Sequence, residues 1–148
     1  MMIERTYLQN LMKIMNEPRR FIQVLYGPRQ VGKTTLVLQF LSKIVTESMY
    51  ETADTVMAAD AKWLQTVWET ARIRLKLSGA QELILVVDEI QKIDNWSETV
   101  KKLWDEDNRT ATHIKVILLG SSSLLIQKGL TESLAGRFEK TYIGHWSF

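Results

Sequence analysis

Apolar positions along this chain recur at two spacings, and the two alternate. Over residues 4 to 16, Tyr7, Leu8, Leu11, Met12 and Met15 fall three and four apart, the period of a helix with one apolar stripe, and Pro18 marks its stop. Arg20 to Tyr26 reads as a strand. From Lys33 to about Val45 the helical spacing returns, in Leu36, Val37, Phe40, Leu41 and Ile44. Ser48 to Ala59 holds a short strand whose candidate positions are Tyr50, Thr52, Val56 and Met57. Ala61 to about Leu77 is again helical, with Leu64, Val67, Trp68, Ala71 and Leu75 in one stripe. Ser78-Gly79 ends it, glycine being suited to a left-handed turn. Leu83 to Asp88 is a continuous aliphatic run between helices, which predicts a strand buried on both faces. Asn95 is placed to cap the next helix, with Glu98 at capping-box spacing and Trp96, Val100, Leu103 and Trp104 on the buried side. Ile114 to Leu119 repeats the aliphatic pattern. Short helices are predicted around Leu124 to Gln127 and Glu132 to Gly136, then a last strand from Phe138 to Ile143. Alternating strands and helices argue for an α/β fold: a parallel sheet covered on both faces, with right-handed crossovers. Residues 1–18 form an N-terminal helix ahead of a core at 19–148.

Composition narrows the class without choosing a function. With 148 residues, 45% apolar and 24% charged, the chain has the size and make-up of one ordinary globular domain. It lacks cysteine, which removes disulfides and thiolate metal ligands and fits a reducing compartment. Met1-Met2-Ile3-Glu4-Arg5 has no basic segment followed by an apolar core, so it is no signal peptide, and no apolar run approaches a membrane span. A cytoplasmic location and no membrane contact are expected. Net charge is only +2 and no cationic stripe appears, so DNA binding finds no support in the charge pattern. Arg72, Arg74 and Lys76 are read as the wet face of a helix, with a phosphate-backbone contact as the alternative.

Between the first strand and the second helix stands Gly27-Pro28-Arg29-Gln30-Val31-Gly32-Lys33-Thr34, a complete G-x-x-x-x-G-K-[ST] loop in the context it requires. Gly27 and Gly32 permit conformations closed to residues with a Cβ, so that consecutive amides can turn inward around an anion. The following helix, with Thr35 in its first turn, presents unpaired N–H groups and the positive end of its dipole. Lys33 supplies a mobile ammonium for β- and γ-phosphates, and Thr34 a hydroxyl oxygen for Mg²⁺. Arg29 either touches phosphate or anchors the loop to an acid. The loop calls for a nucleoside triphosphate.

Asp88-Glu89 follows the aliphatic strand directly. Behind such a loop, Asp88 is expected near the metal, accepting from its water or from Thr34, and Glu89 is the candidate base for the attacking water. Of Ser121, Ser122 and Ser123, one of the first two is the candidate to register the γ-phosphate; the plainer reading is a turn that caps a helix. Arg137 stabilises charge developing in transfer if its guanidinium reaches the γ-phosphate, and otherwise makes a surface ion pair. Gln91 and Lys92 fall close enough to line the site, without a defined role. His113 and His145 have no zinc-binding spacing. Trp68, Trp96 and Trp104 occupy core positions, and the place of Trp63 is open.

Together these blocks resemble the AAA-type ATPase module of a widespread family of uncharacterised prokaryotic proteins. The likeness is carried by Leu25 to Thr35, by Val87-Asp88-Glu89-Ile90-Gln91-Lys92 with Trp96 after it, by Leu118-Leu119-Gly120-Ser121-Ser122-Ser123, and by Ser133-Leu134-Ala135-Gly136-Arg137. The resemblance implies a three-layer P-loop NTPase fold of the additional-strand type, sheet order 5-1-4-3-2, with ATP and Mg²⁺ as ligands and ADP as product. It implies a sensor role for the serines, and an arginine contact for Arg137 in its own site or, in a homo-oligomer, a neighbour's. Family members carry a further C-terminal domain likened to nucleases. This chain stops at Gly144-His145-Trp146-Ser147-Phe148, so the C-terminal part is expected to be missing and turnover to be low.

The resulting expectation is an ATPase that moves an attached or partner domain. A small-molecule phosphotransferase is the first alternative, disfavoured by Glu89 because a kinase excludes water. A nucleotide-gated module for DNA or protein is the second. Asn-Lys-x-Asp is absent after the fourth strand, which disfavours GTP.

Overall fold

The computed structural model describes residues 2–28, 32–55, 57, 59–121 and 134–144. Helix α1 (Met2–Met15) leads to strand β1 (Ile22–Tyr26) and, across the glycine loop, to α2 (Lys33–Ser42). Then follow β2 (Glu47–Thr52), α3 (Ala61–Ser78), β3 (Leu83–Asp88), α4 (Trp96–Thr110), β4 (Ile114–Gly120) and β5 (Phe138–Tyr142). All strand pairs are parallel, in the order β2-β3-β4-β1-β5, which is 5-1-4-3-2 read from the other edge. An additional strand, β4, thus separates β1 from β3, as the resemblance implied.

Alternation along the three central strands builds two cores. Ile22, Val24, Leu83, Leu85, Val87, Ile114, Val116 and Leu118 face α3 and α4, where they meet Leu64, Trp68, Val100, Leu103 and Trp104. Leu25, Ile84, Val86, Ile117 and Leu119 face α1 and α2, against Leu11, Met15, Leu36, Val37 and Phe40. The sheet is therefore the middle of three layers, and the apolar runs are continuous because both faces are covered. Each large apolar side chain so buried contributes about 1.5–3 kcal/mol. Trp63 packs against the α3 side of this core. No helix among the described residues is long and apolar enough to cross a membrane.

Several predicted boundaries move, each for a local reason. Helix α2 stops at Ser42 rather than near Val45, with the Lys43 amide turning back to the Phe40 carbonyl. Ile44, Val45 and Thr46 are β-branched and poor helix formers, and Val45 is fully exposed. Strand β2 starts one residue earlier than expected and ends at Thr52. There the Thr52 hydroxyl accepts from the Asp54 amide and its carbonyl from the Thr55 hydroxyl, closing a tight turn. Met57 is consequently exposed instead of in a strand, and Val56 lies outside the described residues. Asn95 does precede α4, but it does not cap it with its side chain. Its backbone is left-handed (φ 57°), whereas the capping geometry needs an extended residue. Asp60 makes the cap expected of such a residue, accepting from the Trp63 amide at 2.9 Å. The helices predicted around 124–127 and 132–136 fall largely outside the described residues; Leu134 to Arg137 form a turn.

Helices α3 and α4 are tied by a buried acid. Asp107 accepts from the Trp68 indole and from Arg72 Nε, both at 2.8 Å, and Arg19 approaches it at 4.0 Å while stacking on Trp104. Of the three basic residues read as a wet face, Arg74 and Lys76 are exposed; Arg72 turns inward to Asp107, Glu69 and Glu106. Burial pushes the Asp107 carboxyl up against the pull of Trp68 and the two arginines, and lowers Arg19 to about 10, still charged near neutral pH. Removing the acid leaves buried donors unpaired. Asp107→Ala is expected to cost about 3 kcal/mol in urea unfolding, and a loss under about 0.5 kcal/mol would contradict the account.

Candidate nucleotide-binding site

The strand register brings the chemistry to one edge. Val87, Leu118 and Val24 lie in one row across β3, β4 and β1, so Asp88, Gly120 and the loop after Tyr26 leave the sheet together at its carboxyl ends. Gly27 begins the loop under a tight roof. A Cβ added there would meet the Ile143 carbonyl oxygen at 2.1 Å, while the Ile143 amide bonds to Tyr26 at 2.7 Å. Only glycine fits. Gly32, at φ 85° and ψ 19°, is left-handed and starts α2. Between them Arg29, Gln30 and Val31 lie outside the described residues.

Lys33 is buried to 8% exposure, and its ammonium donates to the Gly27 carbonyl at 3.2 Å and the Pro28 carbonyl at 2.7 Å. The lysine thus braces the loop it belongs to. Thr34 Oγ1 donates to Asp88 Oδ2 at 2.7 Å, joining the first turn of α2 to the end of β3. Asp88 is 4% exposed and fully engaged: Tyr50 also donates to Oδ2 at 2.6 Å, and the Glu89 amide to Oδ1 at 2.8 Å. Burial, with the bond to Asp88 next, pushes the Tyr50 phenol far above its ordinary value.

Glu89 is left-handed (φ 55°, ψ 43°), a conformation costing a residue with a Cβ roughly 1–2 kcal/mol. It aims the carboxylate at Ser121 and Gln91. Glu89 Oε1 accepts from the Gln91 amide group at 2.7 Å and the Ser121 hydroxyl at 3.1 Å, and the Ser121 amide donates to Gln91 Oε1 at 3.3 Å. Gly32, Lys33, Thr34, Thr35, Asp88, Glu89 and Ser121 line one open cleft of about 370 Å³, together with the ion pair of Lys92 with Asp54. Two oxygen donors 2.7 Å apart at a helix N-terminus suit a hard cation such as Mg²⁺, which takes few protein ligands and keeps the rest for water and phosphate.

Sequence reasoning therefore assembles Gly27, Pro28, Gly32, Lys33, Thr34, Thr35, Asp88, Glu89 and Ser121 at one place, and the structure does bring them together. Ser122 lies outside the described residues. Arg137 is the correction. It precedes Phe138, which pairs with Ile22 at the amino end of β1, a five-residue strand and so roughly 16 Å from the loop. There it grips Asp105 with two bonds, at 2.9 and 3.1 Å, and cannot meet a phosphate in its own cleft. Tyr50 and Asp54 were missed, because neither β2 nor the turn after it carries a motif that points at the loop.

Fold and cleft together define a P-loop nucleoside-triphosphate-binding domain. Its residues 19–148 match the AAA domain family, and the chain belongs to that family as an AAA-type P-loop ATPase domain. An uncharacterised protein of Methanocaldococcus jannaschii is 32% identical over 126 residues, 82% of this chain and 26% of that one. Another, of Mycobacterium tuberculosis, is 37% identical over 119 residues, 80% of this chain and 24% of the relative. A third, of Haemophilus influenzae, is 26% identical over the whole chain and 36% of its own length. The chain thus spans about a quarter to a third of these relatives. Among solved structures, the Aeropyrum pernix ORC1 protein in complex with DNA superposes over 97% of this chain and 45% of its own, with a TM-score of 0.70 at 12% identity, a likeness of fold.

Arg137→Ala is expected to leave ATP affinity within about twofold by calorimetry and to cost less than ~1 kcal/mol of stability, as a partly exposed pair does. Arg137 holds the Asp105 carboxyl below its ordinary 3.8, so this contribution is present above that value and lost as pH falls through the lowered one. A tenfold loss of ATP affinity would restore Arg137 to the site.

Proposed function

We propose that this chain binds ATP with Mg²⁺, hydrolyses it, and uses the change to move an attached or partner domain. The observation that supports this best is the 2.7 Å bond between Thr34 and Asp88 at the mouth of the loop, with Glu89 and Ser121 beside it. A hydroxyl has one proton and two lone pairs. Thr34 donates its O–H in a hydrogen bond to Asp88, which leaves its lone pairs for a cation. Mg²⁺, when bound there, would neutralise charge on the β- and γ-phosphate oxygens.

Lys33 exchanges two carbonyls for phosphate oxygens as the triphosphate enters. The first-turn amides of α2 take the remaining oxygens. Glu89 accepts the proton of the attacking water, and Ser121 turns from Glu89 toward the γ-phosphate. While Gln91 and Ser121 both donate to it, the Glu89 carboxylate oxygen is held on those two groups. Arrival of a phosphate that draws Ser121 away frees the base. Glutamate poised for water favours hydrolysis over transfer to an acceptor. A role for Arg137 across a subunit interface would require its pair with Asp105 to open.

The DNA in the Aeropyrum structure belongs to that protein. On this chain the buried end of the basic α3 face is neutralised by Asp107, Glu69 and Glu106. The relatives are roughly three times as long as this chain, and in proteins of that length the ATPase domain would act on what adjoins it.

Two variants test the reading together. Lys33→Ala should weaken ATP binding by about 10- to 100-fold, the worth of a charged hydrogen bond. Glu89→Gln should bind ATP within about threefold of the parent and release phosphate about 10²- to 10⁴-fold more slowly. Unchanged affinity in the first, or an unchanged rate in the second, would reject the assignment.

A further inference from the structure

Tyr50 stands on β2, outside every motif that marks the cleft, yet its hydroxyl donates to Asp88 Oδ2 at 2.6 Å, the oxygen that also accepts the Thr34 hydrogen bond. We infer that Tyr50 is a positioning residue for the divalent-cation site: it fixes the Asp88 carboxylate so that Thr34 keeps its proton there and its lone pairs toward the cleft. The inference rests on the ATP and Mg²⁺ reading above.

Register makes the contact possible. Thr52 lies opposite Asp88 and Tyr50 opposite Val86, so Tyr50 is the diagonal neighbour of Asp88 on the same face of the sheet. Diagonal neighbours are roughly 7–8 Å apart, a gap an aromatic side chain spans and a short one does not. Its ring packs on the core that α1 and α2 cover, while its hydroxyl emerges beneath the loop. Packing alone would be served by phenylalanine. The hydroxyl donates to the acid beside the phosphate loop.

Geometry also explains what the bond does. The terminal torsion of an aspartate is broad and two-fold, so a carboxylate held at one point can swing or exchange its oxygens. Asp88 is held at three, by α2 through Thr34, by β2 through Tyr50, and by its own following amide. Without Tyr50, Oδ2 of Asp88 is held by Thr34, and only the Glu89 amide on Oδ1 remains beside it. Thr34 is the group whose oxygen the cation needs.

The test is Tyr50→Phe in the full chain, with ATP affinity measured by calorimetry in EDTA and in Mg²⁺, and Mn²⁺ affinity measured by electron paramagnetic resonance in the presence of ADP. Affinity in EDTA should stay within about twofold of the parent, whereas the gain given by Mg²⁺ and the affinity for Mn²⁺ should each fall about five- to tenfold, the net worth of one ordinary hydrogen bond. The half-saturating Mg²⁺ for phosphate release should rise by the same factor, while the maximal rate stays within about threefold. In an Asp88→Asn background, Tyr50→Phe should add nothing, because residues acting through one another are not additive. An undiminished Mg²⁺ gain, an equal loss in EDTA, full additivity with Asp88→Asn, or a variant unfolded at the assay temperature would each overturn the positioning role. If the parent itself gains no affinity from Mg²⁺, the reading of the whole site falls; if it does and Tyr50→Phe matches it, only Tyr50 is removed.

Discussion

A hydrogen bond from Thr34 to Asp88 joins the first turn of α2 to the end of β3, and the rest of the site is arranged around it. The bond requires β1 and β3 to end at one level although β4 stands between them. The parallel register provides that, placing Val24, Leu118 and Val87 in a single row. A slip of one residue in β3 would turn Asp88 to the opposite face and strand the loop without its acid. The two apolar cores enforce the register, since such a slip would exchange every residue facing α1 and α2 with one facing α3 and α4. Packing on both faces is therefore what holds the chemistry in place.

The second constraint is the crowding of backbone at Gly27. Strand β5 passes so close that the Ile143 carbonyl occupies the position of a side chain at Gly27. This explains why the loop begins with glycine independently of any ligand. It also links the last strand to the phosphate site. Helix α1 joins the same region, since Tyr7 donates to the Tyr142 carbonyl at 3.4 Å and Leu11 and Met15 are buried beside α2. The N-terminal helix is thus part of the layer that supports the loop.

Much of this was legible in the sequence for physical reasons. Double-sided burial leaves an unmistakable aliphatic run at Leu83 to Val87 and at Ile114 to Leu119, and the loop needs its glycines, lysine and threonine at fixed spacing. Ser121 and Glu89 were legible because they follow those runs directly. Tyr50 was not, because its role depends on register between β2 and β3, and periodicity within one strand carries no information about its neighbour. The choice between a phosphate contact and an ion pair for Arg137 was not legible for a related reason. Its position before β5 is clear in sequence, but whether a residue before a strand meets the loop depends on which end of the sheet it occupies. Asn95 had the right place and the wrong backbone conformation, which side-chain chemistry alone does not reveal. Gln91 needed the left-handed turn at Glu89 to bring its amide onto the neighbouring carboxylate.

The central claim is that the lysine bracing the loop and the threonine bonded to Asp88 both turn to one polyphosphate and its cation. A crystal structure with Mg²⁺ and a non-hydrolysable ATP analogue tests it most directly. The account predicts Lys33 Nζ on phosphate oxygens, away from the Gly27 and Pro28 carbonyls, and the cation at Thr34 with Asp88 behind it. A triphosphate bound outside this cleft, or a cation remote from Thr34 with Lys33 still on its loop carbonyls, would contradict it.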